Sequence, residues 1–473
     1  MAEIVILGAG LTGLSAAMLL VRDGHRVTVL ERDPDGPDGD AERLWTGWRR
    51  RGVSQFTQLH LMLGRWAQTM AAELPEVLVE LENRGGARLN VVHLFPSGMT
   101  GGVRPGDERF ELVTGRRPVV EGALAAVAAR AEGVTIRRGC AVAGLLAAHD
   151  SRVPHVTGVR TADGELIRAD LVVDASGRRT AVPDLLTAVG ARRPHEERDS
   201  AGFVYYTRHF RSADGGLPAL ERPMLQFLPG YGVLTLPADN GTWGVGLVTS
   251  SRDHALRGAR EVDGWSRAMT LVPGIGAWLD GEPITGVRAF AATEDRYRRY
   301  LVDGEPVCTG LVPLGDAWAC TNPALGRGAT IGLLHAVTLR DTLRGVPATE
   351  RAAFATAFDE ATETRIAPWC MATRTFDRHR LAEMDADLAG RPYVSADPAW
   401  SLAGTLATAA LHDPDALRAH VSVAHLLATP AEVLSVPGMM PRVVAAGAGR
   451  PRYPADAPHH DELVAAVGQE AAA

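Results

Sequence analysis

Two apolar runs separated by a glycine turn fill the first 31 residues. Ile4-Val5-Ile6-Leu7 has no polar position, which suits a strand covered on both faces. It runs into Gly8-Ala9-Gly10-Leu11-Thr12-Gly13, which opens a helix rich in alanine and leucine, and Arg26-Val27-Thr28-Val29-Leu30 then predicts a second strand ending at Glu31. Residues 34–41 are turn formers without a period, hence a surface loop, and regular structure is expected to resume near Thr57. The stretch from Arg117-Pro118 to about Ala131 predicts a helix, and Val134-Thr135-Ile136 alternates as a strand. Residues 156–159 and 165–167 flank Ala162-Asp163-Gly164, a hairpin signal. Leu171-Val172-Val173-Asp174 repeats the buried-strand pattern and ends on an acid.

The pattern changes after residue 200. Residues 203–206 and 225–228 are strand-like, and Asp239-Asn240-Gly241 marks a hairpin between residues 233–236 and 242–245. Residues 350–440 follow as helix after helix, broken at Pro368, Pro398, Pro414 and Pro430. The fold class expected is α/β. It comprises a discontinuous Rossmann-like domain (1–185 and 301–345), an inserted antiparallel-sheet substrate domain (186–300) and a helical C-terminal cover (346–450). Part of 75–115 is a candidate contributor to the substrate sheet, and the tail 451–473 is expected to be loosely held.

Composition narrows the chemistry. The 473 residues carry a net charge of −7, against nucleic acid or an anionic membrane as main partner. Every one of the 49 basic residues is arginine, so a P-loop lysine, a Schiff-base lysine and a halogenase-type lysine are excluded. Cys140, Cys308, Cys320 and Cys370 form no CxxC, which suits a reduced cytoplasmic protein and no metal site. The apolar start lacks a preceding positive charge and is interrupted by glycines, so it reads as buried strand and helix rather than a leader or a membrane span. His459 and His460 read as part of an exposed tail, and no paired metal ligands or GxSxG elbow occur.

The glycine turn, the strand before it, the helix after it and Glu31 eighteen residues on together predict dinucleotide binding. Gly8 permits the turn, Gly10 lets a pyrophosphate approach backbone, Gly13 lets helix and strand pack closely, and Glu31 suits an adenosine ribose. Three further segments join it: Asp174-Ala175-Ser176-Gly177-Arg178, Gly315-Asp316-Ala317, and Asn322-Pro323 with Gly326-Arg327-Gly328-Ala329 opening a helix. A helix start after Gly328 offers free N–H groups and a positive dipole end to a negatively charged ring.

On these segments, with Arg51-Gly52-Val53-Ser54-Gln55 and His60, residues 1–385 resemble the FAD-dependent monooxygenases of the para-hydroxybenzoate hydroxylase type, nearest the actinobacterial branch with polyether epoxidases. The resemblance implies noncovalent FAD, with NAD(P)H as transient reductant. It implies oxygen transfer from O2 through a flavin C4a-hydroperoxide, by epoxidation or hydroxylation, to an apolar secondary metabolite. It assigns Glu31 to the ribose, Asp316 to the ribityl and pyrophosphate region, and Arg50 or Arg51 with Arg117 to the phosphates or flavin. Asp174 and Arg178 would hold the loop shared by FAD and NAD(P)H. Leu11, Thr12, Arg32, Val142, Gly315, Gly326, Gly328 and Ala329 complete the implied cofactor contacts. Pro323 and Arg327 are candidates near the reactive edge, since the chemistry itself is borne by the flavin. Thr321, Leu325 and Arg327 stand where the branch would carry a phenylalanine, an aromatic, and an amide or histidine.

Tyr205, Phe227, Trp243 and Arg327 are the candidate substrate contacts, although alternation along a strand does not say which face looks into a pocket. Arg327 suits an anionic substrate, the flavin or an exposed helix start, and His60 suits packing beside the cofactor. The alternatives are a flavin-dependent reductase or dehydrogenase acting on an isoprenoid or polyketide, and a non-catalytic FAD-holding protein. The oligomeric state stays open.

Overall fold

The computed structural model describes residues 1–468. Its centre is a five-stranded parallel sheet in the order Leu311–Pro313, Leu171–Asp174, Glu3–Leu7, Arg26–Glu31, Val134–Arg138. Alternation sends Ile4 and Ile6 into the main core and Val5 and Leu7 into a second core on the opposite face, which is why the run has no polar position. The glycine turn delivers the chain into the helix Leu11–Arg22, and the helix Gly328–Gly345 packs across it. A Cβ on Gly332 would lie 2.2 Å from Thr12 Oγ1, so the contact of the two helices depends on a bare backbone at that point.

The insert is an antiparallel sheet in the order Leu225–Leu228, Tyr231–Pro237, Thr242–Ser250, His195–Arg211, Arg288–Arg299, Ala319–Cys320, with Glu282–Pro283 also paired to His195–Arg211. Its hairpin at Asn240 (φ 52°) and Gly241 (φ 62°) uses the left-handed pair of residues that an Asp-Asn-Gly sequence supplies. One face carries Tyr206, Trp243, Val245 and Leu247 into the main core; the other carries Phe203, Tyr205, Leu234 and Val248 into a separate cluster. The expected α/β fold is therefore present, with the inserted sheet and the helical C-terminal region.

The prolines of the cover begin helices more than they break them. Pro398, Pro414 and Pro430 open Pro398–Ala409, Pro414–Ala424 and Pro430–Ser435, each behind a capping side chain: Asp397, Asp413 and Thr429. A first-turn proline forfeits only an N–H that has no helical acceptor.

Four expectations need correction. Residues 57–63 are irregular, and order resumes earlier, in the helix Ala41–Gly47 capped by Asp40. Ala87–Asn90 pairs with Glu111–Thr114 in a hairpin of its own rather than joining the substrate sheet. That sheet instead takes its edge strand Ala319–Cys320 from beyond the boundary expected at residue 300. The tail is docked over His460–Gly468: Leu463 is fully buried, and His460 Nε2 meets Asp253 Oδ2 at 2.8 Å. The segment reads as loose because its few apolar positions find their partners, such as Gly258 and Gly264, about 200 residues away.

The hydrogen bond to Asp253 above all raises the His460 pKa. A raised folded value means that this contribution is complete below the unfolded value of about 6.5 and is lost as pH rises through the folded one. Amide-exchange protection over 460–468 is therefore expected to fall as pH rises above about 6.5, and Asp253→Asn should flatten that dependence. Leu463→Ala should weaken docking by about 2–5 kcal/mol; unchanged exchange would restore the loose-tail reading.

Candidate functional site

A continuous cavity of about 1290 Å³ runs from the glycine turn to the helical cover. Gly8, Gly10, Leu11, Thr12, Glu31 and Arg32 line one end; Tyr205, Phe227, Phe290, Trp369, Phe376 and Trp400 line the other. The three glycines of the turn do different work. A Cβ on Gly8 (φ 103°) would lie 2.6 Å from the Ala175 carbonyl oxygen, and one on Gly13 would lie 2.0 Å from that of Gly8. A Cβ on Gly10 would meet no protein atom within 4 Å and would project into open space. The protein's own packing thus requires Gly8 and Gly13, whereas Gly10 keeps the cavity wall bare.

Across the cavity, Gly326 (φ 64°) turns the chain into the helix Gly328–Gly345, which has no side-chain cap. Its first intrahelical bond runs from Ile331 N to Arg327 O, which leaves the preceding amides without helical acceptors, and Gly328 and Ala329 line the cavity. Asp316 lies beside this start: a Cβ on Gly328 would be 3.9 Å from its Oδ1.

Near the glycine turn the polar groups alternate in sign. Glu31 Oε2 accepts from Ala9 N at 2.9 Å and from Arg50 Nη2 at 2.5 Å, while Oε1 accepts from Asp33 N at 3.0 Å. Arg50 Nη1 donates to Ala9 O (2.9 Å) and to Glu121 Oε2 (2.5 Å), and Arg117 Nε donates to Glu121 Oε1 at 2.7 Å. Burial opposes the charge on Arg50, but Glu121, Glu31 and Asp33 outweigh it and raise its pKa. His60 Nδ1 lies 3.0 Å from Gln58 O, and its Nε2 lies 3.4 Å from Arg117 Nη1. Burial, and then the Arg117 charge, pushes His60 down to about 3, so it is a neutral ring that donates from Nδ1.

At the other end, Tyr205 OH donates to Asn322 Oδ1, Asn322 Nδ2 donates to Asp377 Oδ1 at 3.0 Å, and Asp295 Oδ1 accepts from Asn322 N at 2.8 Å. Burial raises the Asp377 pKa well above the ordinary carboxyl value, and the nearby Asp295 adds to it. Arg327 lines the cavity, donates from Nη1 to Thr373 Oγ1 at 3.0 Å and leaves Nε without an acceptor. Burial lowers its pKa to about 10, so it stays a cation at neutral pH.

Of the residues singled out in the sequence, Gly8, Gly10, Leu11, Thr12, Glu31, Arg32, Arg50, Arg117, Val142, Asp316, Pro323, Gly326, Arg327, Gly328, Ala329, Tyr205 and Phe227 share this cavity. Five do not line it. Trp243 is a correction: the two-residue strand period places it with Val245 and Leu247 on the core face, where its Nε1 donates to Trp278 O at 2.8 Å. Arg51 is exposed, and its neighbour Arg50 takes the buried position. Gly13 packs against the Gly8 carbonyl and Gly315 against the Thr12 side chain, and Asp174 is buried, accepting from Ser176 and Thr180. The sequence reading missed Trp369, Ala372, Phe376 and His379, which line the cavity from one face of the helix Ala367–Leu388. Their spacing of 3, 4 and 3 residues was the available signal. It also missed Glu121, four residues after Arg117.

The cavity fits FAD on its own chemistry: a bare glycine wall, a carboxylate beside the turn, buried arginines and an uncapped helix start. Gly10→Ala is expected to leave the melting temperature of the apoprotein unchanged while weakening FAD binding at least about tenfold, because its methyl group meets only the ligand space. Gly13→Ala should instead destabilise the apoprotein. Asp316→Ala should weaken FAD binding about tenfold, from the roughly 1–3 kcal/mol lost when partners go unpaired. Equilibrium dialysis of each variant checks these outcomes, and normal flavin content in Asp316→Ala would remove that residue from the site.

Comparison with known proteins agrees with the geometry. The family "FAD dependent oxidoreductase" matches residues 3–93, and "Tryptophan halogenase" matches residues 119–188. Protein Rv3254 of Mycobacterium tuberculosis is 30% identical over 389 residues, 78% of each chain. FAD-dependent monooxygenase cfoG of Aspergillus candidus is 24% identical over 72% of this chain and 77% of its own. In fold, the chain is similar to a variant of Pseudomonas aeruginosa PqsL (TM-score 0.62, 18% identity, 82% of this chain and 98% of that one). It is also similar to OxyS anhydrotetracycline hydroxylase of Streptomyces rimosus (TM-score 0.55, 18% identity, 90% and 76%). The chain belongs to one family with the mycobacterial protein, and its residues 3–93 match the FAD-dependent oxidoreductase domain.

Proposed function

We propose that this enzyme inserts one oxygen atom from O2 into a bulky, mostly apolar secondary metabolite, by epoxidation or hydroxylation, with NAD(P)H as transient reductant. The observation that carries the reading is the continuity of the cavity. The space beside the cofactor wall opens, without a partition, into a chamber lined by Tyr205, Phe227, Phe290, Trp369, Phe376 and Trp400. Bound FAD supplies electron storage and oxygen activation. The chain's own contribution is to hold the substrate and to exclude water with apolar side chains from the sheet and the cover. Tyr205, Asn322 and Arg327 offer polar anchors at the edge of this apolar wall, and Arg327 would face an oxygen of the substrate. The sequence motifs favour the para-hydroxybenzoate hydroxylase type, near the polyether-epoxidase branch, and a cytoplasmic setting.

Polyketides and terpenoids bearing an alkene or an electron-rich ring should accelerate NAD(P)H consumption and gain one atom of 18O from 18O2, as read by mass spectrometry. Coupled turnover confined to small charged aromatic acids would make Arg327 a carboxylate partner and refute the apolar-substrate reading. Reduction of a substrate double bond without 18O gain would favour a reductase.

A further inference from the structure

Two arginines of the cofactor wall converge on one carboxylate. Glu121 lies one turn into the helix Arg117–Arg130 and is fully buried. Its Oε1 accepts from Arg117 Nε at 2.7 Å and its Oε2 from Arg50 Nη1 at 2.5 Å, and both arginines line the cavity. Beyond Arg50 the chain of charges continues to Glu31 beside the glycine turn; beyond Arg117 it ends on neutral His60. We propose that Glu121 is a positioning residue for the cofactor: a buried counter-ion that presets Arg50 and Arg117 against the cleft while touching no ligand itself.

Three observations favour this role over simple fold maintenance. First, a buried ion triad stabilises a fold no better than apolar side chains of similar volume, so its presence amid the core helix's Val119, Val120, Ala123 and Leu124 calls for another use. Second, the ladder is incompletely hydrogen-bonded by protein: Arg50 Nε and Asp33 Oδ2, both buried, face each other as an ion pair at 3.5 Å but neither makes a hydrogen bond. Third, although burial pushes the Glu121 carboxyl up, Arg117 and Arg50 outweigh it and hold it below its usual value, so Glu121 remains charged. An arginine held by a fixed carboxylate loses less side-chain freedom when a ligand arrives.

The test is FAD affinity of the apoprotein, titrated by flavin fluorescence, for Glu121→Gln, Arg117→Met and the double variant, with apoprotein melting measured alongside. Glu121→Gln should weaken FAD at least about tenfold, and the double variant should be weaker by at least about threefold less than the product of the single effects, because Glu121 acts through Arg117. Unchanged affinity in Glu121→Gln overturns the proposal. So do single effects that multiply in the double variant, since a merely structural loss would be independent of Arg117. Glu121→Asp covers the case in which Glu121→Gln does not fold. It keeps the charge but is too short to span both arginines, so it should also loosen FAD, and wild-type affinity there overturns the proposal as well.

Discussion

Close contact at glycines, where no Cβ can be accommodated, is the constraint on which this structure depends. At Gly8 the turn meets the Ala175 carbonyl, at Gly13 the first helix meets the turn, and at Gly332 the helix Gly328–Gly345 meets Thr12. Each contact leaves no room for a Cβ, and together they tie the start of the chain to the segments after Asp174 and after Leu314. These are the loops at the carboxyl ends of three neighbouring strands, Glu3–Leu7, Leu171–Asp174 and Leu311–Pro313. A ligand crevice in a parallel sheet forms at this edge, so the same contacts that fix the fold also fix the cofactor wall.

Charge within the core is carried by planar forks. With arginine as the only long basic residue, one guanidinium can meet several acceptors, as Arg50 does with Ala9, Glu31 and Glu121, or as Arg380 does with Glu383 and the carbonyls of Leu228 and Tyr231. The first ties together elements of the cofactor wall, and the second joins the cover to the inserted sheet. A lysine ammonium, a point charge on a flexible stem, would not fix such geometry.

Legibility followed locality. The glycine turn, Glu31 and the strand ending at Asp174 were readable because period, turn chemistry and spacing fall within a few dozen residues. The Asp239-Asn240-Gly241 hairpin was readable for the same reason. The side on which Trp243 falls was not, because parity along Thr242–Ser250 is set by pairing with Tyr231–Pro237 and His195–Arg211. The cavity-lining stripe of Ala367–Leu388 was hidden because charged residues of the same helix, Arg374, Asp377, Arg380 and Glu383, are buried too, so polarity does not mark which side meets solvent. The role of Glu121 was hidden as well: an Arg–Glu spacing of i, i+4 is common on helices, and nothing local signals that Arg50 arrives from a distant loop.

The parallel sheet also dictates a sequence of events on the ribosome. Its three strands from Glu3 to Arg138 can pair as they emerge, and Leu171–Asp174 can follow, but the edge strand Leu311–Pro313 is synthesised only after the whole inserted sheet but its last edge strand. Until then Val172 and Val173 present an open apolar edge, and the helix start at Gly328 does not exist. The nascent chain must therefore carry an unfinished nucleotide crevice through most of its translation, a period in which chaperone contact matters more than for a protein whose cofactor domain is continuous.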